Sequence, residues 1–201
     1  AISYCGARPL FIDVEKSTLG LDPEQLDDFL AAEAVLTSEG CCIDKATGKR
    51  IAACLPVHTF GHPVQIDRIV EVCRKYNLPV VEDAAEALGS RYRGQHAGTF
   101  GELGILSFNG NKAVTTGGGG MLITNNEILA SRAKHLTTTA KEDHPWEFIH
   151  DEVGFNYRLP NINAAVGCAQ MELFDSVLEN KRSTALMYKR FFQDTSIAFI
   201  T

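Results

Sequence analysis

The sequence predicts an α/β protein with a mainly parallel sheet flanked by helices. Three observations lead there. Residues 51–57 and 79–83 are short, continuous apolar runs, the pattern of strands covered on both faces. Between them, residues 64–76 carry helical periodicity, with Ile66, Ile69, Val70 and Cys73 on one side. The connections are short, and strand–helix–strand with short links is the βαβ unit of a parallel sheet.

The remaining elements follow in order. Residues 9–14 read as a strand. Leu21-Asp22-Pro23-Glu24 opens a helix, with Asp22 as cap, Pro23 suited to the first turn and Glu24 favourable to the dipole. Leu26, Phe29 and Leu30 supply its apolar face. Residues 40–50 read as a polar loop, and Asn77 ends the helix over 64–76. Residues 89–101, rich in glycine, read as a loop, and 105–108 as a short strand. Residues 117–120, all glycine, turn into a strand at 121–124. A helix is predicted over 126–136, an irregular polar stretch with the sole tryptophan, Trp146, over 137–153, and mostly long helix over 162–192. Residues 197–201 read as a further strand. Strand-like runs close to both ends suggest a piece of something longer, because an unpartnered strand exposes a hydrogen-bonding edge.

Composition narrows the class. The 201 residues are 45% hydrophobic and 22% charged, with a net charge of −6, which excludes wholesale disorder and fibrous repeats. A chain of this size buries roughly 70% of its unfolded surface. The acidic balance argues against nucleic-acid binding. No apolar run approaches the ~20 residues that span a bilayer, and residues 1–5 show no basic or long apolar leader. The six cysteines lack framework spacing, so the expectation is reduced thiols in the cytoplasm.

Three segments carry candidate chemistry. Asp83, in Val80-Val81-Glu82-Asp83-Ala84-Ala85-Glu86, ends a buried strand, where open α/β sheets place ligands. It suits a ribose hydroxyl, a metal, a protonated ring nitrogen, or the capping of a following helix. Lys112, in Ser107-Phe108-Asn109-Gly110-Asn111-Lys112, follows a strand by a short turn. An amine held away from solvent becomes a nucleophile toward aldehydes; a surface lysine is the plain alternative. The glycines at 117–120 allow close backbone approach to a ligand. They follow the lysine, and Ala113 stands where a P-loop requires Ser or Thr, so the segment is no P-loop. Asn156-Tyr157-Arg158 offers phosphate contacts or simple capping. His58 and His62 are four apart, but Gly61 and Pro63 argue against a helix presenting both to a metal, and no metal site is expected.

Taken in order, these motifs resemble the DegT/DnrJ/EryC1/StrS family of sugar aminotransferases, which use pyridoxal 5′-phosphate (PLP). The resemblance rests on Glu82-Asp83-Ala84-Ala85, Ser107-Phe108 ahead of Lys112, Thr116-Gly117-Gly118-Gly119-Gly120 and Asn156-Tyr157-Arg158. Val57-His58-Thr59-Phe60-Gly61-His62-Pro63, His135-Leu136-Thr137-Thr138-Thr139 and Pro145-Trp146-Glu147-Phe148 look like the LegC-type branch, which acts on UDP-linked 4-keto-6-deoxy amino sugars in bacterial surface-sugar pathways.

The resemblance implies the central part of the large domain of a type I, aspartate aminotransferase-like enzyme. Residues 1–160 would be the PLP-binding large domain without its N-terminal part, and 161–201 a helical connection toward a small domain. It implies amino transfer from L-glutamate to C4 of a nucleotide-linked 4-keto-6-deoxy sugar, in a homodimer with shared active sites and no nucleic-acid or membrane partner. Lys112 would bond to PLP and shuttle the proton. Asp83 would pair with the ring nitrogen, Ala85 pack against the ring, and Ser107 donate to the phosphate. Asn156 would reach the neighbouring subunit's cofactor. Glu86 departs from the His or Gln common in the family: it is protonated, faces the substrate, or stands off the ring. His144 and Trp146 offer a nucleotide-sugar contact or plain packing. The alternatives are a PLP-dependent sugar dehydratase of the same family, against which Lys112 speaks, and a truncated binding module.

Overall fold

The computed structural model describes residues 1–199. Helix α1 (Pro23–Glu33) begins as its sequence dictates. Asp22 Oδ1 accepts the N–H of Glu24 at 2.8 Å and of Gln25 at 3.4 Å, and Pro23 loses no bond at the first position. Leu26 and Leu30 are buried and Phe29 packs beside them. The chain then enters β1 (Ala34–Leu36), which pairs antiparallel with β2 (Cys42–Asp44). This hairpin stands where a loop was expected over 40–50. Strands of three residues are too short for their alternation to register.

Helix α2 (Ile66–Lys75) buries Ile66, Ile69, Val72 and Cys73. It starts two residues later than the periodicity suggests, and the Val64 N–H ahead of it is taken by His58 Nδ1 at 3.2 Å. Val72, at i+3 from Ile69, completes the face, with Val70 at its edge. Asn77 ends the helix in the left-handed region, φ 53°, which asparagine tolerates better than most residues. The packing of α1 and α2 on residues 54, 78 and 80 forms the main core.

Strand β3 (Val81–Asp83) pairs in parallel with β6 (Leu103–Ser107), and β6 pairs antiparallel with β7 (Gly120–Ile123). Residues 54–58 run along the other side of β3. Val81 N–H donates to Cys54 O and Asp83 N–H to Pro56 O, both at 2.9 Å, and His58 N–H donates to Asp83 O at 3.0 Å. The order 54–58, β3, β6, β7 makes a mixed sheet whose first two pairings are parallel. Pro56 has no N–H for the ladder. Cys54, Pro56 and His58 are buried while Leu55 and Val57 are exposed. The expectation that 51–57 is covered on both faces is therefore corrected: one face is open.

Other boundaries shift for local reasons. Within the expected loop 89–101, β4 (Arg91–Tyr92) and β5 (Gln95–His96) form a tight hairpin, with Arg93 and Gly94 both at positive φ, the geometry of the favoured two-residue turn. Residues 9–14 form no ladder beyond a Val14–Leu21 bridge, and Phe11 is exposed. Helix α3 (Glu127–Thr137) is capped by Asn126. The single long helix expected over 162–192 is two, α4 (Asn161–Glu172) and α5 (Phe174–Phe191), broken at Leu173 with ψ near 0°. Residues 197–199 are irregular, and the rest of the strand expected over 197–201 lies outside the described residues. Among the described residues, no helix is long and apolar enough to cross a membrane.

Candidate functional site

The site forms where β3 and β6 end. Side-chain alternation along β3 sends Glu82 and Asp83 to opposite faces. Asp83 is clamped through its backbone on one side by Pro56 and His58. Ala84 N–H donates to Ile105 O at 2.9 Å on the other side. Asp83 Oδ1 accepts the Ala85 N–H at 3.1 Å, so the carboxylate sits directly behind Ala85.

Lys112 reaches the same place from β6. Asn109 N–H bonds Ser107 Oγ at 3.3 Å, and Lys112 N–H bonds Asn109 O at 3.1 Å, closing the turn that brings the lysine back over the strand ends. Its side chain is 17% exposed, and Nζ lies 2.9 Å from Glu86 Oε1. Glu86 therefore pairs with this lysine in the structure. The two line a cavity of about 360 Å³ together with Ala85, Ser107, Phe60 and Gly61. Gly61 has φ 84°, and a Cβ there would lie 2.7 Å from the Glu86 carbonyl oxygen, so this approach of two loops requires glycine.

Of the expected site residues, Lys112, Glu86, Ala85 and Ser107 line one cavity; Asp83 does not line it and is joined to it through the Ala85 N–H that its carboxylate accepts. Asn156 does not line it. It bridges to Thr138 and accepts Arg158 Nε–H on Oδ1 at 3.0 Å. The glycines at 117–120 line a different, wider cavity of about 1300 Å³, with β7, α3, Tyr157 and Arg158. They do not wrap the lysine.

Two residues that the sequence reading left without a role organise the site from behind. Glu82 and His58 have fully buried side chains, with Oε2 and Nε2 2.9 Å apart. Since His58 Nδ1 accepts from Val64, the ring proton sits on Nε2 and is donated to Glu82. The other donors to this carboxylate are the N–H groups of Gly98, Phe100 and Gly101, at 2.6–2.7 Å. Burial alone would raise the Glu82 carboxyl. The His58 donor and the three backbone donors outweigh it and hold the group below its ordinary value. A glutamate inside an apolar strand was the available signal, since such a charge requires partners.

Among the described residues one grouping has metal-ligand spacing: His135, Asp151 and Glu152. Arg132 already forks onto Glu152, with Nη2 2.6 Å from Oε2.

The cleft sets a lysine and a small residue at the carboxyl ends of parallel strands, and comparison with known proteins gives the class of protein, a PLP-dependent aminotransferase. The chain belongs to the DegT/DnrJ/EryC1/StrS aminotransferase family, whose model matches residues 1–201. It is 43% identical to EpsN of Bacillus subtilis (strain 168) and 39% identical to the GDP-perosamine synthase of Escherichia coli O157:H7. Each match covers 94% of this chain, and 45% and 47% of the relative. Among solved structures, Helicobacter pylori PseC, an aminotransferase involved in pseudoaminic acid biosynthesis, superposes with a TM-score of 0.82 at 25% identity, over 96% of this chain and 48% of that one. A family aminotransferase from Brucella abortus gives 0.83 at 27%, with the same coverage. The fold class is therefore that of the type I PLP aminotransferases, and the chain spans about half the length of the relatives it matches.

Proposed function

We propose that the protein transfers an amino group from L-glutamate to C4 of a nucleotide-linked 4-keto-6-deoxy sugar, using PLP. The observation that carries this reading is the Lys112 amine, held 2.9 Å from Glu86 in a cavity it shares with Ala85 and Ser107. The donor set suits PLP chemically: an amine for the aldehyde, a hydroxyl for the phosphate, a methyl-sized wall for the ring and a carboxylate behind it for the ring nitrogen. When bound, the cofactor supplies the aldehyde carbon and an aromatic ring that takes up electrons.

The chain's own residues do the rest. Asp83 presents negative charge to the ring nitrogen and keeps it protonated. Lys112, once free, would take a proton from the amino donor's Cα and hand it to the carbon that carried the cofactor's aldehyde. Glu86 would give the ammonium formed by that transfer a partner inside the cleft, which keeps it beside the reacting atoms rather than in bulk water. Asn156 would complete the site of a second copy in a homodimer. Residues 1–160 and 161–201 would then belong to the large domain and to the connection toward a small one. The GDP-perosamine synthases among the relatives support a nucleotide-sugar substrate and bring GDP in beside the UDP of the LegC-like reading. A cytoplasmic setting goes with the six free thiols.

The test uses the full-length protein. With PLP it should develop visible absorbance, and with glutamate it should aminate a GDP- or UDP-linked 4-keto-6-deoxyhexose, detected by mass spectrometry. Lys112→Ala should lose the absorbance, and its turnover should fall by about 10²–10⁴-fold. A colourless wild type in excess PLP defeats the reading.

A further inference from the structure

Residues 58–62 make a short turn that the amino-transfer reading leaves unused, yet it is held by hydrogen bonds on several sides. Phe60 sits in it with φ 53° and ψ 21°, a left-handed conformation that bulky residues rarely adopt. Its ring is 76% exposed and stands at the wall of the Lys112 cavity. Both features are unfavourable: an aromatic ring facing water, on a backbone that glycine would take more easily. Such strain persists where the surroundings over-determine it, and it clusters at functional sites.

The surroundings do over-determine it. His58, at the start of the turn, is locked by Glu82 and Val64. Thr59 Oγ donates to Leu19 O at 3.1 Å. Gly61 N–H donates to His58 O, and His62 N–H to Thr59 O, both at 3.0 Å. Ser90 Oγ donates to Gly61 O at 2.6 Å. Every neighbour of Phe60 is held, and only its side chain is left to make a contact.

We infer that Phe60 is a substrate contact and sets specificity: its ring packs on the apolar face of the deoxyhexose, and the buried His58–Glu82 pair holds the turn that presents it. This rests on the amino-transfer reading above. The cavity of about 360 Å³ lies at the small end of the roughly 300–1,000 Å³ range of ligand pockets and, in the reading above, is where the cofactor sits, so the sugar is met at the wall where Phe60 stands. Of the two molecules that must react there, glutamate carries a carboxylate at each end, which the negative face of an aromatic ring does not favour. A 6-deoxy sugar offers C–H groups and a methyl, which an aromatic face covers well.

The experiment compares Phe60→Ala, Phe60→Gly and Phe60→Tyr in the full-length protein. In the Ala and Gly variants the KM for a GDP- or UDP-linked 4-keto-6-deoxyhexose should rise about three- to ten-fold, with kcat and the KM for glutamate within about two-fold. Tyrosine should restore the sugar KM. Calorimetry supplies a readout independent of turnover. The aminated sugar nucleotide should bind the Ala and Gly variants more weakly by the same factor, while free GDP or UDP binds them as it binds the parent. The Gly variant should melt no lower than the parent, since glycine relieves the left-handed backbone. An unchanged sugar KM, an equal rise in the glutamate KM, or a lower melting temperature for the Gly variant overturns the inference while amino transfer stands. A wild type inactive on both sugars removes amino transfer itself, and this inference with it.

Discussion

Two regions of the chain are held together differently. From Asp22 to Val114 the structure has an interior: Leu30, Ile66, Ile69, Cys73 and Val64 are essentially inaccessible, and even the buried charges are fully hydrogen-bonded. The helices beyond residue 126 contain no buried residue among those described. They carry exposed Ile128, Ile162, Met171, Met187 and Phe191 instead. The Lys112 cavity is built mainly on the first region and takes Phe174, Leu178 and Lys181 of α5 from the second. The site is thus built on the part of the chain that resists deformation, as preorganised chemistry requires.

The largest way to break this comparison is through Glu82. All four of its partners are donors, so Glu82→Gln sets an amide N–H₂ against donors and leaves two of them without an acceptor. That costs about 1–3 kcal/mol each, and at about 2–4 °C per kcal/mol for a chain of this length the melting temperature should fall by roughly 5 °C or more. The pH dependence follows from the direction of its shift. The folded carboxyl lies below its ordinary 4.5, so its contribution is complete above that value. It is lost as pH falls through the lowered folded value. Acid titration of the wild type should show this loss, and the Gln variant should lack that part of it. Equal acid sensitivity would show that the carboxylate adds nothing to the core.

Next comes packing. Ile69→Ala removes a fully buried side chain from α2 and should cost about 2–5 kcal/mol. Met187→Ala, on an α5 face that is 62% exposed there, should stay within about 0.5 kcal/mol. Denaturant midpoints of the two variants measure the contrast. A Met187 cost near that of Ile69 would mean that α5 is as deeply packed in the full-length protein as α2.

What the sequence revealed divides along the same line. The α1 start was legible because Asp22, Pro23 and Glu24 act within one turn. The 79–83 and 105–108 runs were legible because burial leaves an apolar signature. The Lys112, Ala85 and Ser107 convergence came from motif order, and the structure supplies the Glu86 pairing that motif order left open. The hairpins at β1–β2 and β4–β5 were hidden because two- and three-residue strands have no period. The break at Leu173 was hidden because both flanking helices share one apolar pattern. The role of His58 depends on a partner 24 residues away, which spacing alone does not identify.

The smallest effect tests the comparison most finely, because it uses the same chemistry in both regions. Asp22 and Asn126 cap α1 and α3 in the same way, each accepting the N–H groups two and three residues on. Replacing either with alanine removes equivalent bonds, about 1 kcal/mol of helix stability. Where the helix is welded to the core, as α1 is through Leu26 and Leu30, that loss should appear in global unfolding, as a melting temperature lower by about 2–4 °C. Where the helix buries nothing, the same loss should stay local. Asn126→Ala should leave the melting temperature nearly unchanged and speed amide exchange in the first turn of α3. If the two variants shift the melting temperature equally, α3 unfolds with the core, and the boundary between the two regions lies further along the chain.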